Sequence, residues 1–417
     1  MRILYTVLLY LLTPFVLLRL LWRGFSLRDY WQRWPERFGF VPRAPAGVAV
    51  WVHAVSVGEA LSALPLVKAL VARHGNGQVW MTTMTPTGSA RVQAALTGQV
   101  IHSYVPYDLP DAVARFLEAA RPRQVVIMET ELWPNLLRAV KERGIPLTIA
   151  NARLSPRSFK GYSRIGGFVR DALACTTEVA AQSEADAERF RTLGAPRVSV
   201  MGNLKFELAV PDEQRERGVE LRRRFGAARP VWIAASTHEG EEAAMLKVHQ
   251  RVLEQLPAAL LILVPRHPQR FDAVARLIEK SGLSFQRRSA RQDLQPTTQV
   301  LLGDSMGEMF AYLAAGDAAF VGGSLVPVGG HNVLEPAALG MPVLFGPHMH
   351  NFLGAAQLLI EAGAGQQCSV EGLTANLLKL LKDSAERTRM GAAGRKAVEA
   401  NRGALQRLLR LLEWPPA

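Results

Sequence analysis

Gly322-Gly323-Ser324-Leu325-Val326-Pro327-Val328-Gly329-Gly330-His331-Asn332-Val333-Leu334-Glu335-Pro336 is the stretch on which the reading of this chain turns. It follows the short apolar run 318–321 and passes into a helical pattern that starts near Asn332, with Gly340 as its stop. Glycines let a backbone approach a ligand closely, and the unpaired N–H groups of a helix start attract an anion. Glu335, one turn in, is spaced to accept two hydrogen bonds from a ribose diol. A Glu there also suits a first turn with no ligand at all. Loop, helix start and acid together favour a nucleotide.

Outward from this junction one pattern repeats. Short apolar runs alternate with amphipathic stretches, the mark of parallel sheets wrapped by helices. The spacing predicts strands at 48–54, 79–83, 124–128, 147–150 and 179–181. A second series falls at 231–235, 260–264, 300–302, 318–321 and 343–345. Between them, 207–229 is charged and strand-free, a linker with an opening helix, whose Arg222, Arg223 and Arg224 read as a solvated face. The chain thus divides into an anchor at 1–22, an α/β domain at 23–206 and a second at 207–417. Two doubly wound, Rossmann-like domains facing a cleft are the expected architecture, with ligands at the carboxyl ends of the strands.

The unusual residues cluster at those ends. Ser236 and Thr237 follow a strand and offer hydroxyls at a helix start. Arg266 and His267 follow 260–264, with Pro268 suited to a first helical position. Met306, Gly307 and Glu308 come after 300–302, where Ser305 and Glu308 have capping-box spacing. His348 and His350, without an acidic partner nearby, suggest packing rather than a metal. In the first domain, Ser56-Val57-Gly58-Glu59 opens a helix, again with capping-box spacing. Glu129 and Glu131 come directly after 124–128, and Gly202-Asn203-Leu204-Lys205-Phe206 closes the domain with a cation.

Thirteen of the residues from Ile3 to Trp22 are Leu, Ile, Val or Phe. Twenty helical residues span about 30 Å, the thickness of a bilayer's hydrocarbon core. No small-residue cleavage site follows. Arg23, Arg28, Arg33 and Arg37 interleave instead with Phe25, Tyr30, Trp31 and Trp34. Cations on that flank place the body in the cytoplasm, so the segment reads as an uncleaved single-pass anchor at the inner leaflet. The net charge of +13 favours anionic partners, yet no nucleic-acid motif is present. Two cysteines, Cys175 and Cys368, make neither a disulfide framework nor a metal knuckle and suit a reducing compartment.

Five stretches, in this order, carry a family resemblance: Val52-His53-Ala54-Val55-Ser56-Val57-Gly58-Glu59, Glu129-Thr130-Glu131-Leu132-Trp133-Pro134-Asn135, 202–206, Arg266-His267-Pro268 and 331–336. They resemble the bacterial transferases of 3-deoxy-manno-octulosonic acid (Kdo), and the similarity runs from the anchor and 33–39 nearly to the C-terminus. Glu207 departs from the family's Asp. The resemblance implies a B-type glycosyltransferase fold, CMP-Kdo as donor, a lipid A precursor as acceptor and inverting transfer in lipopolysaccharide synthesis. It implies Glu59 as the base and Glu129, or Glu131, beside the reacting sugar. Lys205 and Arg266 become the cations for the phosphate or the Kdo carboxylate. Arg266, His267, Met306, Gly307, Glu308, Asn332, Val333, Leu334 and Glu335 become the contacts to CMP, with Ser236 and Thr237 beside them. A single-phosphate leaving group and the lack of a DxD-like motif leave no metal or other cofactor expected. The rivals are a UDP-sugar transferase of the same fold, a sugar-nucleotide epimerase and a tethered adaptor without chemistry.

Overall fold

The computed structural model describes residues 1–413 apart from Pro45 and Ala209. Two compact units divide the chain. The first comprises 1–207 together with the chain from Arg402 onward, and the second is Leu208–Asn401.

The first unit is built on seven strands: β1 (Val48–His53), β2 (Val79–Thr83), β3 (Ile101–Tyr104), β4 (Pro122–Met128), β5 (Leu147–Ala152), β6 (Glu178–Ala181) and β7 (Val198–Val200). They pair in parallel in the order β3-β2-β1-β4-β5-β6-β7. Every residue of β1 and β2 is buried, because helices cover both faces of a parallel sheet. Trp51 and Trp80 pack on Phe116 on one face, while Leu66, Val67 and Leu70 fill the other.

The second unit repeats the plan with β8 (Val231–Thr237), β9 (Leu260–Pro265), β10 (Phe285–Arg287), β11 (Val300–Leu302), β12 (Ala318–Val321), β13 (Val343–Phe345) and β14 (Gly365–Gln367). Their order is β10-β11-β9-β8-β12-β13-β14. In each sheet the chain builds one side of a central strand and then restarts on its other side, although in the second β10 takes the edge before β11 fills the place beside β9. The reversal lies between β1 and β4 in one unit and between β8 and β12 in the other. A crevice opens at the carboxyl ends of such a pair.

All ten expected strands are present, with ends displaced by up to two residues. Three expectations are corrected. The second domain does not run to 417: the helix Ala404–Leu411 belongs to the first unit, and residues 414–417 lie outside the described residues. Ala404, Leu408 and Leu412 join Leu66, Leu70 and Met201 in one apolar cluster. Complete burial of Leu408 alone contributes roughly 1.5–3 kcal/mol, which draws the helix onto that surface. Arg222 is not solvated, since it donates to both carboxylate oxygens of Asp317 at 3.1 Å and ties its helix to the sheet. Arg223 and Arg224 do lie outside, pairing with Glu220. The expected capping box of Ser305 and Glu308 does not form, because Ser305 donates to the Glu308 side chain and the helix Met309–Ala314 starts after Glu308 itself.

The apolar N-terminal helix runs Arg2–Ser26, longer than the expected 1–22, and over Arg2–Phe25 it is long and apolar enough to cross a membrane. Its first turns touch the body. The Tyr5 hydroxyl donates to Asp108 at 2.9 Å, Thr6 to Asn135 at 3.1 Å, and the Tyr10 hydroxyl to Asp111 at 2.5 Å.

Candidate functional site

In the first unit the acids converge at the β1–β4 reversal. The chain leaves β1 and enters the helix Val57–His74 through Ser56, whose hydroxyl accepts from the Glu59 N–H. Glu59 closes the capping box in return. Its Oε1 accepts from the Ser56 N–H at 3.3 Å and hydroxyl at 2.8 Å, and its Oε2 from the Val55 N–H at 2.8 Å. The carboxylate is thereby fixed at the strand's end, 8% exposed.

Glu129 stands at the same reversal, directly after β4, in the left-handed region at φ 59°. Burial pushes its carboxyl above the ordinary range, and the Glu59 charge adds to this while Lys205 and Arg153 oppose it. Glu131, held by the Trp133 indole at 2.8 Å, is raised by burial and by both neighbouring glutamates. Lys205 is lowered by burial against the pull of Glu129 and Glu59. These mutual influences put the four expected residues of this unit in one electrostatic cluster, with Arg153 as a fifth member. Lys205 is set by a polar chain: Asn151 Oδ1 accepts from the Leu204 N–H at 3.0 Å, and Asn203 Oδ1 from the Lys205 N–H at 2.9 Å.

In the second unit another cluster gathers at the β8–β12 reversal. The charge of Arg266 acts on His238, His267, His331 and Glu335. His238 and His331 lie stacked with ring centroids 5.0 Å apart and their Nε2 atoms at 2.7 Å, so one ring donates to the other and that acceptor is neutral. Burial first, then Arg266, hold His331 down at about 3. Glu335 is pushed by burial up to about 7, against the pull of Asn332, whose amide donates to it at 3.2 Å, and of Arg266.

The glycine-rich loop differs from expectation. The N–H groups of Gly323, Ser324 and Leu325 all donate to the carboxylate of Glu241, at 2.7, 3.0 and 2.9 Å, and the His238 N–H joins them at 2.9 Å. These donors are filled by the protein and do not cradle a ligand. Glycine is needed at 322 for another reason: a Cβ there would meet the Ser236 carbonyl at 2.7 Å and Glu241 at 2.9 Å. The helix expected from Asn332 is only Leu334–Ala338, too short for much dipole. Val333 caps it, and Asn332 Oδ1 accepts from the Leu334 N–H at 3.1 Å. Ser236 and Thr237 occupy the last positions of β8 and not a helix start, which falls at Glu241. Ser236 has φ 56°, and Thr237 Oγ1 is buried with no hydrogen-bond partner among the described residues. His267 stacks edge-on against His238 at 5.2 Å. Glu308 is engaged elsewhere, by Arg288 at 2.8 Å and Tyr312 at 3.2 Å, beside an exposed Met306 and Gly307 at φ 81°.

The sequence singles out no role for Glu241, and none for His238 or Arg153, although both lie in runs that directly follow a strand. An acid in a helix's first turn is too ordinary a signal to single out Glu241. His238 and His331 meet across 93 positions of sequence, which no local pattern reports.

Glu335 generates a pH-dependent prediction. Its folded carboxyl binds a proton more tightly than an ordinary glutamate, so the stability it contributes is present at low pH and lost as pH rises from 4.5 through about 7. Glu335→Gln should therefore raise the melting temperature at pH 8 and leave it unchanged at pH 4, with a gain of at most about 3 kcal/mol. Calorimetric melts at the two pH values read this directly; equal effects at both would contradict it.

Comparisons with known proteins bear on the family and the fold. The family model for 3-deoxy-D-manno-octulosonic-acid transferase (kdotransferase) matches residues 32–208. The chain is 42% identical over 418 residues to the 3-deoxy-D-manno-octulosonic acid transferase of Haemophilus influenzae, covering 99% of this chain and 98% of that one. It is 40% identical over 423 residues to the transferase of the same name from Bordetella pertussis, covering 98% of each. Among solved structures, MurG of Acinetobacter baumannii shares the fold at a TM-score of 0.56 and 14% identity, over 88% of this chain and 99% of that one. With paired parallel sheets of the B-type glycosyltransferase kind and full-length identity at this level, the chain belongs to the 3-deoxy-D-manno-octulosonic acid transferase family and is a glycosyltransferase.

Proposed function

We propose that the enzyme moves Kdo from CMP-Kdo onto a lipid A precursor with inversion at the anomeric carbon, in lipopolysaccharide synthesis. The observation that carries this reading is the meeting of Glu59, Glu129, Glu131 and Lys205 at the reversal of the first sheet. Single displacement needs a base for the acceptor hydroxyl as its oxygen attacks the anomeric carbon and the bond to the CMP phosphate breaks. Glu59 supplies it. Its Oε2 accepts one protein hydrogen bond and keeps a lone pair for the incoming proton. Glu129, with Glu131 beside it, stabilises positive charge developing on the sugar ring. Lys205 and Arg266 meet the negative charge of the phosphate and of the Kdo carboxylate.

The donor's nucleotide falls to the second unit. Glu335 accepts from the ribose hydroxyls, and Arg266 and His267 face the phosphate. Asn332, Val333 and Leu334, together with Met306, Gly307 and Glu308, contact the nucleotide in part through their backbones, with Ser236 and Thr237 beside them. CMP leaves with a single phosphate, which cations can match, so the reaction requires no metal or other cofactor. The N-terminal helix and the net charge of +13 hold the body on the cytoplasmic face of the inner membrane, where an anionic, lipid-borne acceptor is presented.

Three measurements test this. Glu59→Gln keeps the Ser56 capping box through its amide oxygen and loses only the bond from the Val55 N–H, so the chain should fold and bind CMP while kcat falls by roughly 10²- to 10⁴-fold; an unchanged kcat removes Glu59 as the base. CMP should compete with the donor at micromolar to millimolar concentration and UDP should not. Transfer should continue at an unaltered rate in excess chelator; a loss restored by a divalent cation would assign a metal to the reaction.

A further inference from the structure

The N-terminal helix has two faces along its whole length. Tyr5, Leu9, Thr13, Leu17, Leu20 and Gly24, spaced by three or four, are its less exposed positions. Leu4, Leu8, Leu11, Phe15, Leu18 and Trp22 repeat at the same spacing on the other side, each at least half exposed. Contacts at the two ends of the less exposed stripe, the body at Tyr5 and Trp31 over Gly24, and an open apolar stripe opposite describe a helix held beside the body. They do not describe one that leaves it.

Both ends are fastened. At the start, Tyr5, Thr6 and Tyr10 reach Asp108, Asn135 and Asp111, and Tyr5 packs on Phe168 at 5.6 Å. At the finish, the chain turns back through Leu27, and the Trp31 indole donates to the Leu21 carbonyl at 2.9 Å. The Phe25 and Trp31 rings meet edge to face at 5.3 Å. Arg33 then bonds Ser89 at 2.9 Å and the His102 carbonyl at 3.2 Å, within the same unit.

A helix of 25 residues is about 37 Å long, enough to carry its start across the roughly 30 Å hydrocarbon core. Crossing would take Tyr5 and Tyr10 into the far leaflet. Their partners Asp108 and Asp111, which belong to the folded body, would have to follow into hydrocarbon or lose these bonds. Lying in the plane of the near leaflet satisfies everything at once. The outward leucines and aromatics enter the acyl layer, Arg19 and Arg23 reach the headgroups, and the polar contacts stay with the body.

We infer that Arg2–Ser26 is a monotopic helix seated in one leaflet of a phospholipid membrane, clamped at both ends to the first unit, with its N-terminus on the same side of the membrane as the body. This departs from the single-pass anchor that length and composition alone suggest. It does not rest on the transfer chemistry, and its test reads the same whether or not the enzyme turns over.

The experiment uses the full chain in sealed membrane vesicles, with Cys175 and Cys368 replaced by alanine. One version carries a hydrophilic, cysteine-bearing tag joined to Met1. A second carries Val219→Cys, an exposed position of the second unit, as the marker for the body's side. A membrane-impermeant maleimide is applied to inside-out and right-side-out vesicles. The tag and the marker should be labelled in the same preparation and both protected in the other. Labelling of the two in opposite preparations would establish a crossing helix and overturn the inference. Recovery of the chain in the soluble fraction would overturn it as well.

Discussion

The constraint on which this molecule depends is the reversal of strand order in a parallel sheet. Chain leaving β1 and chain leaving β4 pass to opposite faces, so no helix covers the gap between their carboxyl ends. Polar side chains can gather there without being buried in a core. In the first unit that gap receives Glu59 and Glu129, and in the second it receives Ser236 and the loop after β12. The backbone is forced locally to turn out of the strand. Glu129, Asn151 and Ser236, at the ends of three strands, hold φ of 59°, 56° and 56°. Such conformations cost on the order of 1–3 kcal/mol each and persist only where the surroundings hold them. Here the Glu129 N–H is tied to the Ala150 carbonyl, and Asn151 is bonded through both its carbonyl and its side chain.

The ten central strands were legible because burial on both faces demands unbroken apolar runs. The four that escaped notice, β3, β7, β10 and β14, are the four sheet edges. Their residues include His102, Ser199, Arg287 and Gln366, which an edge tolerates and a central strand would not. The acids of the first unit could be read because each directly follows a strand or opens a helix. Glu241 could not, since its partners at 323–325 lie more than 80 positions away. The final helix was misassigned for a similar reason: an apolar stripe at Ala404, Leu408 and Leu412 states that something must be covered, not what covers it.

Glu241 also changes what the glycine-rich loop means. Four backbone N–H groups converge on one almost fully buried carboxylate, an anion that the protein itself provides. The loop is therefore shaped before any ligand arrives. Gly322 serves the close approach of the loop to the end of β8, and under the proposed function recognition falls to side chains around it, Arg266 and Glu335 among them. A preformed site loses little conformational entropy on binding.

The return of the last helix to the first unit has a consequence for synthesis. The second unit is continuous, 208–401, and can complete its core as soon as it emerges from the ribosome. The first unit, although made earlier, waits for Leu408 and Leu412, roughly 200 residues and about 10–40 s of translation later. For that interval Leu66 and Leu70 lack part of their cover, on a nascent chain whose apolar leading helix already seeks lipid. The order of emergence and the order of completion are thus reversed in this protein, and the amino-terminal half is the one exposed to chaperones.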